Sequence, residues 1–130
     1  MLESESQQEI QKEAAKFGLV LMRNNSGSLK DETGRPVRYG LGNVSKEQND
    51  RIKSSDLIGC LPVTITQDMV GHTIGVFVAV ECKREGWKFK GDKRETAQKN
   101  FIEFILNKGG IAFFAESVDT FKKELKKYLK

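Results

Sequence analysis

DLIGCLPVTITQDMVGHTIGVFVAVECK, Asp56–Lys83, is the stretch on which the architecture turns. Two β-branched runs, DLIGCLPVTIT and TIGVFVAVECK, flank QDMVGH, a pattern that predicts an antiparallel hairpin. A turn about Asp68-Met69 would set Asp56 directly opposite Glu81, within reach of a cross-strand side-chain contact. In the second run Val76, Val78, Val80 and Cys82 share one face, and Phe77, Ala79, Glu81 and Lys83 share the other. Both faces stay apolar until the exit, as expected of a central strand covered on both sides. Polar side chains gather only where the strand ends.

Toward the N-terminus, Ile10, Ala14 and Phe17 recur at helical spacing, which predicts a helix over about Ser4 to Phe17, ended by Gly18. Leu19 to Met22 reads as a short strand. Arg23 to Gly42 is rich in Gly, Asn and Ser and reads as loop, with at most an extended piece at Arg38 to Leu41. Toward the C-terminus, Asp92 is a helix cap with Glu95 completing a capping box. The helix that follows is expected to run to Asn107, to bury Ala97, Phe101, Phe104 and Ile105, and to stop at Gly109-Gly110. Ile111 to Ala115 is a strand, and Ser117 caps a last helix with Val118, Phe121, Leu125 and Leu129 inward. The order is α-β-loop-β-β-α-β-α: an α/β fold, one domain over residues 1–130, with a mixed sheet flanked by helices.

The chain has 130 residues, 38% hydrophobic and 31% charged, a composition that excludes wholesale disorder. No apolar run approaches the roughly 20 residues that span a bilayer, and the start, MLESESQQEIQKE, is too polar for a secretory signal. A soluble, intracellular, cytoplasmic protein is expected, with no membrane partner and no organic cofactor. Cys60, Cys82 and the single His72 make no zinc framework, so both cysteines read as thiols in a reducing compartment. A catalytic metal here must be held by oxygen, which favours Mg²⁺ or Mn²⁺.

The net charge is +4 and the pI about 9.1, and the distribution says more than the total. Lys83, Arg84, Lys88, Lys90, Lys93 and Arg94 crowd into twelve positions with two acids, and Trp87 and Phe89 lie among them. Such a stretch suits phosphate contact, with an aromatic ring to stack on a base or wedge a distorted duplex. Trp87 reads equally well as an anchor in the core or a dimer interface. FKKELKKYLK at the C-terminus is a second basic stretch; Arg35 and Arg38 are weaker candidates that simple exposure explains.

Asp56 and Glu81, if brought together, repel unless a cation sits between them, and suit one Mg²⁺ with the Cys82 backbone carbonyl and waters. Lys83, beside Glu81, could orient the attacking water or stabilise charge on the phosphorane. On spacing alone a surface ion pair between Lys83 and either carboxylate explains the pattern as well. Gln98, in the second turn of the capped helix and offset from its apolar stripe, could bond to the attacking water or to a water on the metal.

Taken together these residues resemble the PD-(D/E)xK nuclease superfamily, and more closely its VRR-NUC family, which includes stand-alone phage and bacterial nucleases. The resemblance rests on SSDLIG with Asp56, VECK with Glu81 and Lys83, ETAQKNF with Gln98, and the segment RNNSG at Arg23 to Gly27. It covers nearly the whole chain in order. It implies a restriction-endonuclease-like core, a catalytic set of Asp56, Glu81, Lys83 and Gln98, and Mg²⁺- or Mn²⁺-dependent cleavage of DNA phosphodiesters. It further implies branched DNA such as Holliday junctions as substrate and a homodimer as the active form. The family often adds a glutamate from the first helix. That position falls on Gln7 here, which leaves Glu9, ahead of Glu5, as the expected metal ligand. The alternatives are a nuclease of flaps or nicks, a nucleic-acid-binding module that kept the fold without catalysis, and a protein-interaction domain in which the carboxylates are incidental.

Overall fold

The computed structural model describes residues 2–129. The chain is mixed α/β and divides into two compact units, Met1–Leu61 and Pro62–Lys130. Among the described residues there are four α-helices, and the strands pair two by two.

In the first unit, helix α1 (Glu3–Ala15) carries Glu3 and Glu5 in its first turn, where they complement the exposed N–H groups of the helix end. It packs on strand β1 (Val20–Arg23), with Ala14 buried and Gln7 and Gln11 half-buried, and Gln11 Nε2 donates to the Leu21 carbonyl at 3.0 Å. The expected stripe is therefore displaced: Ile10 is 52% exposed, and Phe17, beyond the helix end, is 70% exposed. Strand β1 runs antiparallel to strand β4 (Leu57–Cys60), from Val20 opposite Cys60 to Arg23 opposite Leu57. The two backbones meet so closely at Gly59 that a Cβ there would overlap the Val20 carbonyl oxygen.

The expected loop of residues 23–42 holds a hairpin instead, strand β2 (Gly27–Lys30) antiparallel to strand β3 (Pro36–Tyr39). Local polar chemistry makes it. One Asp31 carboxylate oxygen accepts from the Thr33 N–H, the Thr33 hydroxyl and the Arg35 N–H, which closes the turn. The buried Asn43 donates to the Gly27 and Tyr39 carbonyls and accepts from Arg38, stapling the open end. A short helix, α2 (Lys46–Arg51), follows its Ser45 cap.

The antiparallel hairpin expected over 56–83 is not formed. Strand β4 has β1 as its partner, and strand β5 (Val78–Cys82) pairs in parallel with strand β6 (Ile111–Ala115). The turn does lie where expected, as a 3₁₀ helix at Gln67–Met69 with Thr66 bonded to Asp68, but its flanks are irregular. Pro62 has no N–H to give to a ladder, and Gly71 and Gly75 weaken the other arm. The cross-strand register that set Asp56 against Glu81 falls with the hairpin, and so does the central position of β5.

The second unit is built on β5, helix α3 (Lys93–Asn107) and β6, a parallel pair joined by a helical crossover. Its core is Ile102, Ile105, Ala112, Phe113 and Ala115, with Ile105 fully buried. The inward stripe of α3 is Glu95, Gln98, Ile102 and Ile105, a 3-4-3 spacing that keeps the expected Ile105 and is otherwise rotated about 100° from the one expected. Ala97 and Phe101 are exposed and Phe104 is half-buried; Ala97 and Phe101 line a groove of about 410 Å³ between α3 and β5. Gly109 (φ 85°) ends the helix. Ser117 caps helix α4 (Val118–Lys126), with Phe121 6.1 Å from the Phe113 ring. Leu125 is half-buried, but the expected inward Val118 and Leu129 are 67% and 65% exposed.

Candidate functional site

Glu81 and Lys83 leave β5 at its carboxyl end, the end at which parallel strands with helical crossovers present ligand-binding groups. The Lys83 N–H continues the ladder by donating to the Ala115 carbonyl at 2.8 Å, so its backbone is fixed. Its side chain is fixed too. Lys83 Nζ donates to Gln98 Oε1 at 2.6 Å and stands 5.3 Å from the Trp87 ring centroid and 5.7 Å from that of Phe114. Gln98 Nε2 in turn donates to Glu81 Oε1 at 2.9 Å. The amide can lie only one way round, because an ammonium cannot accept a hydrogen bond and a carboxylate cannot donate one.

The three half-buried side chains thus form a chain, Lys83–Gln98–Glu81. No direct Glu81–Lys83 ion pair forms; the described pairs are Lys16–Glu13 and Lys127–Glu124. The apolar spacing sets Gln98 beside the stripe of α3, whereas it belongs to the inward stripe, one turn from the buried Glu95. The 3-4-3 spacing of Glu95, Gln98, Ile102 and Ile105 was the signal available for that.

Glu95 does more than complete a capping box. The cap itself holds, with the Glu95 N–H donating to Asp92 at 2.8 Å. The carboxylate, 6% exposed, reaches further back into the basic loop. Oε1 accepts from the Lys90 and Gly91 N–H groups at 2.8 and 3.0 Å, and Oε2 accepts from Trp87 Nε1 at 2.7 Å. The Lys90 N–H foremost, with Trp87, Gly91 and Asp92, holds its carboxyl below the ordinary glutamate range, although burial works the other way.

Trp87 is accordingly an anchor within this unit. Its ring lies 4.9 Å from that of Phe114, with Lys83 on it and its N–H on Glu95. Arg84, Lys88 and Lys90 are exposed on the loop that Trp87 and Glu95 tie down, and Lys93 and Arg94 are exposed in the first turn of α3 that follows it.

Asp56 and Glu9 belong to the first unit. Asp56 is exposed at the start of β4, and its carbonyl accepts from the Asn24 N–H at 2.8 Å. The Asn24 side chain donates to Ser54 Oγ and the Ser55 carbonyl and accepts from the Leu41 N–H. The segments RNNSG and SSDLIG are therefore knit together by one asparagine. Glu9 is exposed on α1, and Gln7 is half-buried.

Among the described residues, no three His, Cys, Asp or Glu side chains come together as a metal-holding group. A closed cage is not what Mg²⁺ requires, since it takes one or two carboxylates and keeps most of its water. Glu81, with only Oε1 engaged by Gln98 and the strand-terminal Cys82 beside it, fits an open site of that kind. None of the described helices is long and apolar enough to cross a membrane. No protein-family model, no curated protein and no solved structure matches the chain.

Proposed function

We propose that the chain is a divalent-metal-dependent DNA endonuclease with a restriction-endonuclease-like core of the VRR-NUC kind, a single nuclease domain over its whole length. What carries the reading is the direct contact of Gln98 with both Lys83 and Glu81: three side chains singled out by residue type and spacing are neighbours at one strand end. Asp56 joins them in this reading on the strength of the sequence pattern alone.

Glu81 and the Cys82 carbonyl would hold Mg²⁺ or Mn²⁺; the proposal of Asp56 and Glu9 as further ligands rests on the sequence pattern alone. The ion would polarise the scissile phosphate and lower the pKa of the attacking water. Gln98 sets the distance between carboxylate and ammonium. Lys83, with its head fixed by Gln98 and the Trp87 and Phe114 rings, stabilises charge on the phosphoryl oxygens as the water adds. Arg84, Lys88, Lys90, Lys93 and Arg94 neutralise backbone phosphates, and Trp87 supports the loop that carries them.

The substrate is a branched DNA, with the four-way junction first, and the active form a symmetric homodimer, because two cuts related by a two-fold axis need two copies of one site. Val70 and Tyr128, 67% and 44% exposed, are available for pairing.

The test is a cleavage panel of linear, nicked, flap and four-way substrates with Mg²⁺, Mn²⁺ or EDTA, run on wild type, Asp56→Asn and Glu81→Gln. Metal-dependent cutting that both variants lose while still binding DNA is the expected result. Cutting confined to flaps or nicks would keep the nuclease and change its substrate. DNA binding without cutting would leave a module in which Lys83–Gln98–Glu81 is structural, and retained turnover in either variant would refute the assigned carboxylates.

A further inference from the structure

We propose that Phe89, with Lys99 on its ring, is a stacking platform for an unpaired nucleobase, so that the DNA strand is single-stranded where it passes the basic loop. The inference rests on the DNA reading above and deepens it by naming the strand's local state. Two aromatic side chains lie among the loop's basic residues, and the structure separates their roles. Trp87 has its indole N–H on Glu95 and its ring against Phe114 and Lys83. Phe89 meets Trp87 edge-on, at 6.3 Å and 82°, and Phe114 at 6.0 Å, yet remains 45% exposed.

Phe89 is also held in place. One Glu95 carboxylate grips the loop on both sides of it, at Trp87 Nε1 and at the Lys90 and Gly91 N–H groups. A ring fixed in this way loses little freedom when a ligand arrives. Lys99 Nζ stands 5.4 Å from the Phe89 ring centroid. A base that stacks there displaces the ammonium toward the adjoining phosphate, so the charge exchanges one partner for another. Lys88 and Lys90 are exposed on the same loop, and Lys93 at the start of α3, to follow the backbone. Stacking on an aromatic ring with cations along the strand is the general mode of single-strand binding, and every base has the face it needs. An intact duplex keeps those faces inside its own stack.

The experiment uses the full chain in EDTA, so that binding is read without cleavage. The probe is an oligonucleotide of about 12 nucleotides carrying one 2-aminopurine, either single-stranded or annealed to its complement. Wild type should bind the single strand more tightly than the duplex and quench the 2-aminopurine. Phe89→Ala should weaken single-strand binding roughly 5- to 100-fold and abolish the quench while leaving duplex affinity unchanged. Phe89→Tyr should restore both, which separates stacking from loss of fold. Lys99→Gln should lower the salt slope of single-strand binding by about one unit. If Phe89→Ala binds and quenches like wild type, or wild type prefers the duplex, the platform is wrong and the DNA reading survives. If wild type binds neither form, both fall.

Discussion

Gln98 can satisfy Lys83 and Glu81 at once because its amide offers an acceptor to the ammonium and a donor to the carboxylate. Gln98→Leu should therefore keep the fold and release both partners. Cleavage should fall roughly 10- to 100-fold, the usual cost of losing a residue that orients a metal ligand, with DNA affinity unchanged. An unchanged turnover number would make the bridge a bystander. Glu95 gives the pH prediction. Its carboxyl titrates near 4.5 when unfolded and lower when folded, so in acid the unfolded chain takes up the proton more readily. The stabilisation is complete above 4.5 and is lost as pH falls through the folded value; the same sign holds for Asp31, lowered first by the Thr33 hydroxyl. Glu95→Gln should flatten that acid limb in thermal melts and lower Tm by several degrees even at neutral pH. A melt profile identical to wild type across pH 3 to 6, the range about the reference carboxylate values, would refute the anchor. Residue type and spacing pointed to Glu81, Lys83 and Gln98, because their chemistry needs those groups. They did not point to the carboxylate of Glu95 as the loop anchor, because a glutamate three residues past a cap has a simpler explanation.

At the scale of elements, α3 shows what apolar spacing misses. Ala97, Phe101 and Phe104 form an apolar stripe, but Glu95 and Gln98 bond to the loop and the strand end, and Ile102 and Ile105 are the buried apolar residues of the helix. Polar partners at one end decided the rotation. Ile105→Ala, at the one fully buried large side chain among the described residues, should cost about 2–5 kcal/mol, and Ile105→Val about 0.5–1.5. In the first unit, Gly59→Ala forces a methyl into the Val20 carbonyl and should cost about 1–3 kcal/mol by strand displacement. Denaturant melts measure all three, and a neutral Gly59→Ala would mean that β1 and β4 can part without penalty. The helices at each end and the strands β1, β4, β5 and β6 were legible because apolar periodicity marks them. The pairing was not: a β-branched run says strand without naming a partner, and Pro62 outweighed the run that contained it. The β2–β3 hairpin was hidden for the opposite reason, since Asp31 and Asn43 hold it by hydrogen bonds and it carries little apolar signal.

For the whole molecule, an excess of four positive charges matters through where it lies. Replacing Lys88, Lys90 and Lys93 together with Gln should weaken DNA binding and reduce the slope of log affinity against log salt by about three units, one for each phosphate that keeps its counterion. An unchanged slope would put the strand elsewhere, with the C-terminal lysines next. The homodimer is checked by light scattering at micromolar concentration, where a strict monomer that ignores four-way junctions would end the pairing proposal without touching the chemistry. Trp87 is the chain's single tryptophan, and it meets the Lys83–Gln98–Glu81 chain, the loop and the aromatic cluster together: Lys83 on its ring, Glu95 on its N–H, Phe89 edge-on and Phe114 tilted against it. The protein therefore carries its own optical label. Intrinsic emission, excited selectively at the indole, should respond to protonation of Glu95, to displacement of Lys83 and to the strand proposed to bind at the loop. It does so in the unmodified chain, on a stopped-flow timescale.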